Sequence, residues 1–251
     1  MTAIANKIFQ SVQELDEKTS SALLQFGLSL ADTKHFLGRR ISEWVTGAPT
    51  MEASVAAANI TQDELGHARS LFAMLRDFPG APDELKNETE FARERHFAPS
   101  ILDASFASWF EVIAALFLID RALTQIFRSG RQSSFYPLRQ RIAKILQEER
   151  FHVIYADGWV KTIAARTDGA AAKLQQAIDR FWPVCVDWFG PHAQSDFAPL
   201  VEAAIFAEEP AACFEQWRGA VSEVLHASGL RVPDYAPDWQ QWQAERREVR
   251  P

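Results

Sequence analysis

The sequence predicts an all-α protein built on four long helices, and three observations carry that expectation. Four long stretches repeat apolar residues at helical spacing and are separated by glycine and proline. Sustained period-two runs of β-branched residues, the mark of strands, are missing from them. Two of the four stretches carry Glu-x-x-His, as Glu64-Leu65-Gly66-His67 and Glu149-Arg150-Phe151-His152, on an otherwise apolar face.

Taken in order, residues 4–17 are expected to form a short helix with Ile8, Phe9 and Val12 on one side. Thr19, Ser20 and Ser21 offer N-caps for a long helix running to about Val45, broken by Gly47-Ala48-Pro49. A second long helix spans about 52–76 and closes at Phe78-Pro79-Gly80. A short charged helix is expected near 88–95, between Pro82 and Pro99. The third long helix covers about 104–128. The fourth begins between Ser133 and Leu138 and runs to about Ala165, with Pro137 tolerated in its first turn. An alanine-rich helix follows over about 170–189, which Pro183 should kink or split, then one over about 210–228 and a tail containing Trp239 and Trp242.

At 251 residues the chain suits a single domain, 1–251, with a core bundle over about 20–165 and a helical extension over about 170–251. A net charge of −7 argues against nucleic acid as the main partner. The early acids Glu14, Asp16 and Glu17 do not suit a signal peptide, and no apolar run suits a membrane span. Cys185 and Cys213 lack metal-type spacing and read as reduced thiols, so a cytoplasmic protein is expected.

The two Glu-x-x-His copies set the functional question. On helices their stripes read Ile60, Glu64, His67, Leu71, Met74 and Ile145, Glu149, His152, Ala156, Trp159. A carboxylate on such a face needs a partner, because burying it alone is costly. Two-metal centres in four-helix bundles take Glu-x-x-His from two helices and one carboxylate from each of the other two. On the third helix, Asp120 is the acid on the stripe Ile113, Phe117, Asp120, Thr124, Phe127, while Glu111 faces elsewhere. On the first, Glu43 shares a face with Asp32, Phe36 and Arg39; Glu52 suits a helix N-terminus instead. The candidate set is therefore Glu43, Glu64, His67, Asp120, Glu149 and His152. Its four carboxylates and two imidazoles suit two iron ions, and manganese accepts the same ligands. Taken singly, Glu43 also reads as a surface partner of Arg39, Asp120 as a partner of Arg121 or Arg128, and the histidines as hydrogen-bonded core residues. Asp63 and Glu148 each precede a ligand glutamate and are expected to reach the histidine of the opposite helix, Asp63 to His152 and Glu148 to His67.

These residues resemble the phenylacetic acid catabolic protein family of the ferritin-like superfamily. Gln62-Asp63-Glu64-Leu65-Gly66-His67 resembles the Q-D-E-A-G-H of that family's catalytic A chain. Phe117-Leu118-Ile119-Asp120 and Glu148-Glu149-Arg150-Phe151-His152 resemble its W-L-V-D and E-E-S-F-H. The framework is more similar to the family's C chain: Leu37-Gly38-Arg39-Arg40-Ile41-Ser42-Glu43-Trp44, Ala58-Asn59-Ile60 and Phe181-Trp182-Pro183, as is the length. The resemblance covers about residues 20–190. It implies a ferritin-like four-helix bundle with additional N- and C-terminal helices, in which a di-iron centre activates O2 with electrons from a separate reductase. It further implies epoxidation of phenylacetyl-CoA or a related aromatic acyl-CoA by the A-type chain, the C-type chain being its structural partner and having lost ligands. A homo-oligomer, or a hetero-oligomer with a homologous chain, follows.

The leading expectation is thus a di-iron oxygenase acting on an aromatic acyl-CoA or related hydrophobic substrate, with Glu43, Glu64, Asp120 and Glu149 at the reacting centre. The alternatives are a structural subunit of such an oxygenase and a ferritin-like iron or peroxide-handling protein. Asp32, His35 and Arg39 suggest a polar substrate cavity, against a plain Asp32–Arg39 ion pair. Phe106, Trp109, Phe110, Phe117 and Trp159 suit a ring pocket or, as aromatics at helical spacing commonly do, the core. Arg121, Arg128, Arg131 and Arg139 suit CoA phosphates or a solvated basic surface.

Overall fold

The computed structural model describes residues 7–87, 92–191 and 196–250. The expected helix over 4–17 does not form where it is described. Residues 1–6 lie outside the described residues, and Val12–Glu14 make a single 3-10 turn. Phe9 instead pairs its backbone with the start of the fourth long helix, donating to Ser134 O at 2.8 Å and accepting from Tyr136 N at 2.9 Å.

Helix α1 (Glu17–Ser42) opens earlier than expected because Asp16 is the better cap, accepting from Thr19 N at 2.9 Å and from the Thr19 hydroxyl. It ends at Ser42, leaving Glu43 just beyond the helix. Thr50 caps α2 (Met51–Leu75) by accepting from Ala53 N. The two helices pack closely because glycine permits it. A Cβ on Gly27 would fall 2.8 Å from Leu75 Cδ2, and one on Gly38 would fall 2.9 Å from Glu64 Cβ.

A one-turn helix α3 (Asp83–Lys86) and a 3-10 turn, Ser100–Leu102, follow. The short helix expected near 88–95 falls partly on residues 88–91, outside the described residues, and 92–95 are not α-helical. The third long helix starts at Trp109, where Ser108 accepts from Glu111 N, and is not a plain α-helix. It runs as α4 (Trp109–Ala115), a π-helical segment Leu116–Asp120 and α5 (Arg121–Ser129). Segments of that kind gather at functional sites, and Asp120 closes this one.

Helix α6 (Tyr136–Ala164) completes the bundle of α1, α2, α4–α5 and α6, the all-α ferritin-like architecture expected. Helix α7 (Ala170–Phe189) continues through Pro183 without splitting, packs on α4, and ends at Gly190, whose φ of +78° suits glycine. Helices α8 (Ala198–Glu202) and α9 (Pro210–Ala227) follow, α9 lying against α5. The tail forms a minimal hairpin of β1 (Trp242–Gln243) and β2 (Glu248–Val249). It is tied to the end of α7, Trp242 Nε1 donating to Asp187 O at 2.8 Å and Arg247 Nη2 to Phe189 O at 2.8 Å.

Of the two readings of the aromatic residues, the core holds, with Phe110 and Trp159 partly buried against it. Phe106, Trp109 and Phe117 are buried, and Trp109 meets Trp159 edge to face at 5.6 Å. Both cysteines are buried and free. No helix among the described residues is long and apolar enough to cross a membrane.

Candidate functional site

Midway along the bundle, ionisable residues from four helices converge where packing should exclude water. Glu64 and Glu149 are 0% exposed, Asp120 is 1%, His152 is 2% and His67 is 3%. The helical spacing of the two Glu-x-x-His motifs turns each pair inward, as their stripes require. Glu64, Asp120, Glu149 and His152 each offer one donor atom, all within 4.8 Å of one another, a spacing that could hold a metal ion.

The first helix contributes a cation to this cluster instead of a carboxylate. Lys34 of α1 is 0% exposed, and its Nζ donates to Glu64 Oε1 at 2.9 Å, to Asp120 Oδ1 and to Glu149 Oε1. An ammonium carries three N–H bonds, and here each faces a carboxylate from a different helix. Glu43, expected to be the ligand from this helix, is not there. It lies past the end of α1 with its side chain 35% exposed and pairs with Arg40 Nη2 at 3.0 Å. The reason is register: α1 is buried on nearly all sides over residues 26–38, Lys34 shares a face with the fully buried Leu30, Leu37 and Ile41, and the helix ends before Glu43.

The remaining lone pairs are largely committed. Asp120 Oδ2 accepts from His152 Nδ1 at 3.1 Å, and Glu149 Oε2 accepts from the Thr124 hydroxyl at 2.6 Å. Glu64 Oε2 is a buried oxygen without a hydrogen-bond partner, and His67 Nδ1, 3.3 Å from Glu149 Oε1, lacks the alignment to make a hydrogen bond. Asp63 and Glu148 make the cross-helix contacts expected of them, Asp63 Oδ2 lying 3.2 Å from His152 Nε2 and Glu148 Oε2 2.7 Å from His67 Nε2. Both acids border a surface groove between α2 and α6 of about 320 Å³, so each histidine bridges the buried cluster to the solvent side.

Electrostatics follow this geometry. Burial disfavours the Lys34 ammonium, but the carboxylates of Asp120, Glu149 and Glu64 outweigh it and hold the group charged. Burial also opposes the His152 imidazolium, yet hydrogen bonds to Asp120 and Glu64 lift it to about 11, so both ring nitrogens donate. Asp120 is held well below the usual carboxylate range: burial pushes it up, but Lys34 and His152 prevail. Glu64 is raised to about 7 by burial and by the Asp120 charge.

The residues present do not fit the two-metal group that the motifs first suggested. Four carboxylates offset two divalent ions; here three carboxylates already face one ammonium, so two such ions would leave the centre with a net charge of +2. The ligand pattern does not point to Lys34, because it calls for an acid on the first helix. Its place at helical spacing from Leu30, Leu37 and Ile41 was the available signal.

The other candidates separate from the cluster. Asp32 is buried, pairs with Arg93, accepts from Phe97 N at 2.9 Å, and is raised to about 6 by burial. It anchors the segment after α3, so neither the polar cavity with His35 and Arg39 nor the alternative Asp32–Arg39 pair forms around it. His35 packs edge-on against Phe36 at 5.3 Å and is lowered to about 4, mainly by burial; Arg39 is exposed. Arg121 leaves the proposed phosphate group, for it is buried and pairs with Asp157, whereas Arg128 and Arg131 are exposed.

Asp120 is braced from behind by the C-terminal extension. Trp217 of α9 is 1% exposed, and its Nε1 donates to Leu118 O, inside the π segment, at 3.0 Å. Trp182 packs on it with ring centroids 5.0 Å apart.

Comparison with known proteins agrees with this architecture. The chain is 30% identical over 213 residues to the C subunit of 1,2-phenylacetyl-CoA epoxidase from Escherichia coli (strain K12), covering 84% of each chain. It is 26% identical over 149 residues to the A subunit of the same enzyme, covering 59% of this chain and 48% of that one. A family model described as phenylacetic acid catabolic protein matches residues 1–248. The chain belongs to the phenylacetic acid catabolic protein family.

Proposed function

We propose that the chain is a supporting subunit of a multicomponent oxygenase acting on an aromatic acyl-CoA such as phenylacetyl-CoA. It would work in the cytoplasm beside a homologous oxygen-activating chain and a separate reductase. The observation that carries this reading is Lys34, which stands where an oxygen-activating centre of this kind needs a fourth carboxylate. Similarity to two different subunits of one enzyme supports a homologous partner. The role is then to hold that partner in its working form through a bundle whose own centre is already occupied by the Lys34 ammonium.

A second reading has the chain itself activating O2 at two iron ions. It draws on the five retained donor residues and on the unpartnered Glu64 Oε2 and His67 Nδ1. Reconstitution separates the two. The chain, a reductase and phenylacetyl-CoA are assayed for oxygenated product with and without a homologous chain that has a complete ligand set. Product only when both homologues are present is the expected result; product from this chain and reductase alone would overturn the proposal.

A further inference from the structure

We infer that Lys34 is an internal replacement for metal: its ammonium is the cation around which the centre is built, and its exchange for glutamate opens the site to divalent ions. Each bundle helix supplies one group to the contact at Nζ: Lys34 itself from α1, Glu64 from α2, Asp120 from the π segment and Glu149 from α6. Nζ touches one oxygen of each carboxylate. The second oxygens of Asp120 and Glu149 are taken by His152 and Thr124. A metal ion bridging these carboxylates would have to take the oxygens that Nζ now holds, and like charges would face each other across a few ångströms in a dry site.

Substitution tests whether the ammonium is what keeps ions out. Lys34→Glu restores one acid per helix to a shell that already has two histidines, each held from outside by Asp63 and Glu148. The inference rests on the geometry of the cluster and not on the choice of substrate. Metal analysis and the reconstitution above can therefore fail separately.

The test is anaerobic incubation of the full chain with Mn(II) or Fe(II), desalting, and elemental analysis, with thermal melting in metal and in EDTA as a second readout. The unaltered chain is expected to retain only trace metal and to melt alike with and without EDTA. Lys34→Glu is expected to retain at least about tenfold more and to melt higher with Mn(II) than with EDTA. One or two ions retained stoichiometrically by the unaltered chain would overturn the inference, as would a folded Lys34→Glu protein that binds none. If Lys34→Glu does not fold, Lys34→Gln replaces it; its gaining no metal over the unaltered chain would count against the inference.

Discussion

Replacing Lys34 with methionine removes the ammonium while keeping an unbranched side chain of similar reach. Three buried carboxylates then face one another without their shared cation. Breaking a buried ion pair by deleting one partner costs about 3–5 kcal/mol, since the remaining charge stays desolvated. Relief can come from proton uptake, and Glu64, already raised to about 7, is the group that accepts a proton most readily. The loss should therefore reach about 3–5 kcal/mol at pH 7.5 and shrink at pH 5.5. For a chain of this size each kcal/mol moves Tm by about 2–4 °C, which gives a fall of roughly 6–20 °C at the higher pH. Thermal and urea denaturation at the two pH values measure it. A loss below about 1 kcal/mol at pH 7.5, or one that grows on acidification, would refute the reasoning.

Three further perturbations probe the same centre. His152 is raised from 6.5 to about 11, so the stability from its imidazolium is complete below pH 6.5 and is lost as pH climbs towards 11. Glu64, raised from 4.5 to about 7, adds a contribution that likewise disappears as pH rises through 7. Urea midpoints of the unaltered chain should then fall between pH 6 and 9, and His152→Gln should flatten that slope; an unchanged slope would argue against the charged imidazole. Gly38→Ala places a methyl 2.9 Å from Glu64 Cβ, so α1 and α2 must part, at about 1–3 kcal/mol by equilibrium denaturation. Trp217→Phe keeps an aromatic ring but removes one of the two donors to Leu118 O, which also accepts from Arg121 N, and should cost about 0.5–1.5 kcal/mol; a neutral result would show that the π segment holds without it.

The bundle was legible because apolar spacing and breakers act locally. The break at Gly47-Ala48-Pro49, Pro137 in a first turn and the Glu-x-x-His stripes all act within a turn or two of helix. What escaped depends on distant chain. Phe9 gives up a helix because Ser134 and Tyr136 offer it backbone partners. The π segment holding Asp120 is supported by Trp217, 99 residues downstream of Leu118. Pro183 does not split α7, which runs on to Phe189. The site was half legible for a related reason. Glu64, His67, Asp120, Glu149 and His152 meet because helical register turns each inward. Glu43 had the right chemistry in the right chain order, yet α1 ends before it. Lys34 had the right register, but its charge has the sign opposite to that of a ligand.

The most direct measurement is a crystal of the full chain grown in ferrous iron under anaerobic conditions, with anomalous data collected at the iron edge. Lys34 Nζ within hydrogen-bond distance of Glu64, Asp120 and Glu149, with no anomalous peak among them, is the expected result. One or two iron peaks bridged by those carboxylates, with the Lys34 side chain turned away, would contradict it.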